Sequence, residues 1–234
     1  VCLMVQGELA LENQLIKQLN SVGYSTVDVK DEASLLANLK LQIEKRKNTT
    51  LSETEFNKII NILDKGTVFE RAKTLRGEQH IERDNGDNFY FYFLDKESWN
   101  TNTFQVTNQI TKEGTYKNRY DVTLLINGLP LVQIELKRRG VEMAEAFHQI
   151  KRYKKNSFAS GVGLFQYIQL FIISNGVNTK YFANNKNLNV KQTFFWANED
   201  NKKITALNVF ADSFLVPNHL HKMLSKYIVL AESD

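Results

Sequence analysis

Asp121, Glu135 and Lys137 lie at the ends of two segments in which apolar and polar residues alternate. Two carboxylates and an ammonium on one surface suit the hydrolysis of phosphodiesters with a hard divalent cation. The acids can hold Mg²⁺, and the lysine can stabilise charge on an attacking water or a phosphorane-like transition state. Whether the three share a surface depends on the elements that carry them. Val122, Leu124 and Ile126 alternate with Asp121, Thr123 and Leu125, and Val132, Ile134 and Leu136 alternate with Gln133, Glu135 and Lys137. Both segments read as half-buried strands. Asn127-Gly128 between them is a strong hairpin signal.

Register then decides the chemistry, because a slip of one residue turns every side chain to the other face. A tight two-residue turn at Asn127 and Gly128 sets Asp121 opposite Ile134 and turns Glu135 away. A three-residue loop from Asn127 to Leu129, or an equivalent bulge, pairs Asp121 with Glu135 and matches Val122 with Ile134 and Leu124 with Val132. We expect the second register, with Pro130 at the start of its strand, where proline is tolerated. Beyond Gly140, residues 141–155 have helical composition, with Ala144, Phe147 and Ile150 spaced for burial. Gln149 and Tyr153 fall one turn apart on that helix, placed to orient a phosphate or a metal-bound water, or simply to pack.

The run RYDVTLLINGLPLVQIELKRRG followed by EAFHQIKRY resembles the PD-(D/E)xK nuclease signature with the QxxxY element of RecB-type nucleases. More closely, it resembles the amino-terminal nuclease domain of the restriction (R) subunit of type I restriction-modification enzymes. NGLPLVQIELK is the specific part, and the similarity extends to FQVTNQ upstream and to FIISNG and TKYF downstream. The resemblance implies an α/β, restriction-endonuclease-like fold, with a mixed central β-sheet flanked by helices. It also implies catalytic roles for Asp121, Glu135, Lys137, Gln149 and Tyr153, and Mg²⁺, with Mn²⁺ a substitute, held by Asp121, Glu135 and a first-helix acid. Glu12, in the context LENQLIKQLNSVGY, fits that last position, and Glu8 four residues earlier can face the same way. The implied partners are double-stranded DNA, motor domains of the same polypeptide that would use ATP, and methyltransferase (M) and specificity (S) subunits. Tyr120 stands where the signature has proline, which is not a ligand.

Composition agrees with a catalytic domain. The 234 residues are 42% hydrophobic and 24% charged, as in ordinary globular proteins. One cysteine, Cys2, and no membrane-length apolar run suggest a cytoplasmic setting and no membrane. The net charge of +4 permits nucleic-acid binding, and Arg138, Arg139, Lys151 and Arg152 cluster near the proposed site as phosphate contacts. Lys154 and Lys155 can also serve to offset a helix dipole. The sequence has no Walker-type phosphate loop, no cysteine and histidine spacing for zinc, and no Gly-x-Ser-x-Gly elbow.

The pattern along the chain predicts a single nuclease domain over residues 1–234, with a helical part about 8–64, a catalytic core about 88–215 and a closing helix about 216–230. Ser52 and Glu55 form a capping box before Phe56, Ile59, Ile60 and Leu63. Residues 67–88, charged and aperiodic, read as an exposed loop that could lie along DNA or merely connect. Strands are expected at 89–94, 103–110, 167–173 and 180–183, and a terminal helix within 212–226 that starts near Val216 because of Pro217. Two alternatives stay open: a stand-alone RecB-like repair or junction nuclease, and a non-catalytic DNA-binding or assembly module.

Overall fold

A computed structural model describes residues 2–112, 118–156, 158 and 163–228, the first five of these by backbone only. Among them a six-stranded mixed sheet is flanked by seven helices, an α/β arrangement of the restriction-endonuclease-like kind. The first helix, α1 (Cys2–Ser21), leads to a short edge strand, β1 (Ser25–Thr26). Then come α2 (Glu32–Lys47) and α3 (Glu53–Leu63), each begun by the reciprocal capping that its sequence offers, Asp31 with Ser34 and Ser52 with Glu55.

Residues 67–88 are not the exposed loop expected. They fold as α4 (Val68–Arg76) and β2 (Glu78–Glu82), which pairs antiparallel with β3 (Asn88–Tyr92). Thr67 and Glu70 make a third capping box, and the buried Arg71 guanidinium donates to the carbonyls of Leu63, Asp64 and Gly66. An arginine that satisfies three carbonyls can sit inside, so charge here did not mean exposure.

The large sheet continues with β4 (Phe104–Lys112), β5 (Asn118–Ile126) and β6 (Leu129–Leu136). The crossover helix α5 (Met143–Asn156) follows, then β7 (Leu170–Ser174) and β8 (Thr179–Ala183). In space the order is β1-β4-β5-β6-β7-β8. The pairs β1/β4 and β6/β7 are parallel and the rest antiparallel. A parallel pair needs a crossover, and α5 supplies it for β6 and β7. Tyr167 lies in a 3₁₀ turn ahead of β7. A two-residue pair, β9 (Trp196–Ala197) and β10 (Lys203–Ile204), precedes α6 (Leu207–Phe214) and α7 (Pro217–Lys222).

The closing segment is thus two short helices where one was expected, with Pro217 at the first position of the second, and a π-helical turn at Met223–Tyr227. The end of the expected 216–230 helix lies outside the described residues. No helix of the described residues is long and apolar enough to cross a membrane.

The β5/β6 hairpin has the expected register, reached by the bulge and not by the three-residue loop. Its turn is the tight one, Asn127-Gly128, with φ of 54° and 86°, the left-handed pair that a type I′ turn demands. Leu129 pairs with Ile126, and Pro130 is therefore the second strand residue and not the first. The offset is restored one step later, since Leu124 faces Val132 while Leu125 faces Pro130, which leaves Leu131 as a bulge. From there Val122 faces Ile134 as expected.

The strands also differ from expectation in burial, for β6 is buried along its whole length and β5 from Val122 to Ile126. Their polar face is covered because Thr123 donates to Gln133 at 2.7 Å, both side chains being fully buried. A register slip would leave these two unsatisfied, at about 1–3 kcal/mol each. On α5 the buried residues are Ala146, Phe147, Ile150 and Tyr153, and Ala144 is exposed, contrary to the spacing argument.

Candidate active site

The hairpin register carried one step beyond Val122 and Ile134 sets Asp121 on β5 beside Glu135 on β6. Main-chain pairing of the two strands stops there because Asp121 replaces it. Its Oδ2 accepts the Leu136 N–H at 2.8 Å, which fixes the carboxylate at the end of the ladder. Lys137 follows β6, its N–H donating to the Ser174 carbonyl at 2.8 Å and its Nζ to Glu135 Oε1 at 3.4 Å. The three residues expected to share a face therefore do.

The electrostatics of this pair are unusual. Glu135 has no solvent exposure, and no N–H or O–H donates to its Oε2. Burial first, and then the Asp121 charge, hold its carboxyl well above the usual carboxylate range, with Lys137 opposing. Asp121 is pushed up by burial and by Glu8, and pulled down by the Leu136 N–H and by Lys137. A protonated Glu135 could donate to Asp121; in an ionised one Lys137 serves Oε1 and Oε2 faces only another acceptor.

Helix α1 packs against β4, β5 and β6 and brings both of its candidate acids to this end of the sheet. Glu12 is buried, accepts from Asn108 Nδ2 and from Gln109 Nε2 at 2.9 and 2.6 Å, and lies close enough to Asp121 for their charges to repel. Burial raises its pKa, and the two amides pull it back. Glu8 Oε1 accepts the Arg138 N–H at 3.2 Å and adds to the negative charge felt by Asp121. Asn108 and Gln109 did not emerge as site residues from the sequence, although they end the FQVTNQ run.

Across the site, Gln149 on α5 donates to the Tyr153 hydroxyl, which donates to the Arg119 carbonyl of β5 at 3.0 Å. Tyr153 is buried and stacks edge-on against Tyr120. Burial and the nearby Glu135 charge raise its pKa, so the phenol stays protonated. It ties α5 to the strand that carries Asp121. Gln149 instead reaches a groove of about 610 Å³, lined also by Lys137, Glu145, His148, Lys151, Arg152 and Lys155. Arg139 lines a separate groove beside α1, with Gln14 and Asn208, and Arg138 is exposed. The four expected phosphate contacts thus divide into two pairs.

Among the described residues, no three acidic, histidine or cysteine side chains converge tightly enough to hold a metal by themselves. That arrangement still fits Mg²⁺, which keeps several waters and takes one or two carboxylates. The unsatisfied Oε2 of Glu135 beside Asp121 is the feature a cation would relieve.

Residues 6–190 match the family described as Type I restriction enzyme R protein N terminus (HSDR_N). The chain belongs to this family. Relatives include the endonuclease subunit of the type I restriction enzyme SauCOLORF180P of Staphylococcus aureus (strain COL), 46% identical over 235 residues, which are 98% of this chain and 25% of that protein. The SsaAORF53P endonuclease subunit of Staphylococcus saprophyticus is 44% identical over 238 residues, 99% of this chain and 25% of that protein. The EcoprrI endonuclease subunit of Escherichia coli is 39% identical over 238 residues, 98% of this chain and 76% of that protein. The chain spans about a quarter of the length of the staphylococcal members of the family.

Proposed function

We propose that the chain is the nuclease domain of a type I restriction enzyme, a Mg²⁺-dependent endonuclease that hydrolyses DNA phosphodiesters without sequence choice of its own. The observation that carries this reading is the pairing of half-buried Asp121 with fully buried Glu135, with Lys137 Nζ 3.4 Å from Glu135, the PD-(D/E)xK constellation on its hairpin. A like-charge pair with one member fully buried is costly to keep, and Lys137, which contacts Glu135, also lines the basic groove. Asp121 and Glu135 would hold Mg²⁺, or Mn²⁺ in its place, with Glu12 next to them. When bound, the cation supplies Lewis-acid polarisation of a phosphoryl oxygen and acidifies water.

The chain's own residues do the rest. Lys137 offsets negative charge that develops at phosphorus. Gln149 positions the phosphate or the attacking water from the groove side, and Tyr153 fixes the helix that carries it. Lys151 and Arg152 neutralise the DNA backbone, and Arg138 and Arg139 do so from the α1 side. Contacts of this kind read no bases, so the target would be chosen by the specificity (S) subunit, with a methyltransferase (M) subunit in the assembly. ATP would be consumed by motor domains of the same polypeptide, and the setting would be the cytoplasm.

The test is cleavage of duplex DNA by the full-length protein carrying Asp121→Ala, Glu135→Ala or Lys137→Ala. Each is expected to abolish cutting while circular dichroism stays that of the wild type. Wild-type cutting by any of them removes that residue from the mechanism, and wild-type cutting by all three removes the reading.

A further inference from the structure

Gln109 is held at φ 59° inside β4, a left-handed conformation that favours glycine and is uncommon for other residues. It interrupts the ladder without shifting it: Asn108 pairs with Val122 and Ile110 with Tyr120 in one continuous register, so that Gln109 stands opposite Asp121 without a pair of its own. The left-handed residue does not end the strand or turn the chain, because pairing resumes at once through Ile110, Thr111 and Lys112. What it does is aim a side chain. Gln109 Nε2 donates to both oxygens of Glu12, at 2.9 and 2.6 Å, and Asn108 Nδ2 donates to the first of them.

The Asn108 amide is itself oriented. The Lys30 ammonium donates to the Asn108 carbonyl at 2.9 Å and to its Oδ1 at 2.8 Å. With the side-chain oxygen so occupied, only the NH₂ group can face Glu12. Both oxygens of this buried carboxylate are thus gripped by neutral amides, which fix its position without cancelling its charge. It is held in this way within electrostatic reach of Asp121.

We propose that the Asn108 and Gln109 amide pair, set by the left-handed Gln109 and braced by Lys30, is a positioning device that holds Glu12 as a third acidic group of the nuclease site. Gln109 is a positioning residue: it acts through Glu12 and touches neither substrate nor cation. The proposal rests on the nuclease reading above.

Strain gives a clean test, because Gln109→Gly removes the amide and relieves the backbone together. In the full-length protein, Gln109→Gly is expected to melt at or above the wild-type temperature and to bind duplex DNA as the wild type does. Its turnover should fall about 10- to 100-fold, and its Mn²⁺ affinity by calorimetry about 10-fold, the usual range for loss of an outer-shell partner. Gln109→Glu, of equal size but without a donor, should lose as much. Added to Glu12→Gln, Gln109→Gly should cost nothing further, since both remove one unit. Wild-type turnover and Mn²⁺ affinity in Gln109→Gly, or a loss that adds in full to that of Glu12→Gln, overturns the proposal. If Asp121→Ala, run alongside, is inactive while Gln109→Gly cuts normally, only the positioning role fails. If Asp121→Ala also cuts normally, the nuclease reading has failed first.

Discussion

Replacing Glu135 by glutamine should make the protein more stable as it destroys the proposed chemistry. The side chain is fully buried and its Oε2 has no donor, with the Asp121 carboxylate as its neighbour. Where Glu135 is ionised, this buried acceptor left unsatisfied costs about 1–3 kcal/mol, so the comparison belongs on the alkaline side of its raised titration. In Glu135→Gln an NH₂ group takes that position and can donate to Asp121, while the remaining oxygen still accepts from Lys137. The change also weakens the buried contact with Lys137, 3.4 Å long and with side chains 14% and 0% exposed, by about 1 kcal/mol, because the amide oxygen keeps the hydrogen bond and loses only the charge. The net is a gain of up to about 2 kcal/mol, or up to about 8 °C in Tm for a chain of this size. Thermal denaturation in EDTA, followed by circular dichroism, measures it. Adding Mg²⁺ should then raise the wild type by about 1.4 kcal/mol at a tenfold excess over its dissociation constant, and raise the variant much less, so that the two curves draw together. A variant that melts below the wild type in EDTA, or that gains equally from Mg²⁺, would refute the idea that this carboxylate is strained for want of a cation.

Gly128→Ala should destabilise by about 2 kcal/mol or more, since φ is +86° and a Cβ would stand 2.7 Å from the Leu39 Cα; urea denaturation against the wild type measures the loss. The Glu55 carboxyl is pulled down to about 2, chiefly by the Arg83 guanidinium and then by the N–H groups of Asp84 and Ser52. Because the folded value lies below the ordinary 4.5, its contribution is complete above that pH and fades as pH falls towards 2. Glu55→Gln should therefore cost on the order of 2 kcal/mol near neutrality and almost nothing at the acid end, in denaturation series across pH. Exchanging Lys151 and Arg152 together for alanine should make the salt dependence of DNA binding shallower by about two units, equally for unrelated sequences; an unchanged slope in a fluorescence titration would mean that they are solvated helix cations.

What could be read from the sequence follows from where side-chain type alone sets geometry. Asn-Gly and two alternating runs specify a hairpin, and the apolar match selects the register that joins Asp121 to Glu135. That a bulge could restore the register was legible, but its place at Leu131 was not, because its neighbours are equally apolar. Thr123 and Gln133 looked like a solvated face, but polar residues that satisfy each other can be buried. In residues 67–88 the capping box of Thr67 and Glu70 was there to be seen, yet the charges around it masked the helix. Glu8 and Glu12 could not be told apart from spacing, since residues four apart share a helical face, and the structure brings both near Asp121 in different roles. Gln109 depends on one backbone angle that no residue type announces.

Strand β6 is hydrogen-bonded to β7 through Leu136 and to β5 as far as Ile134, where the Asp121 side chain takes over by accepting the Leu136 N–H, and the Lys137 amide extends the β7 ladder past the strand end. Asp121 and Glu135 therefore sit where local opening is rarest, and the amides of Ile134 to Lys137 should be among the last to exchange with deuterium. Such a site has no loose, half-assembled form to rest in. Heat should extinguish the chemistry at the temperature where the sheet melts and not before. Any off-switch for the chemistry must then govern what enters the groove, because the carboxylates cannot be drawn apart while the sheet stands.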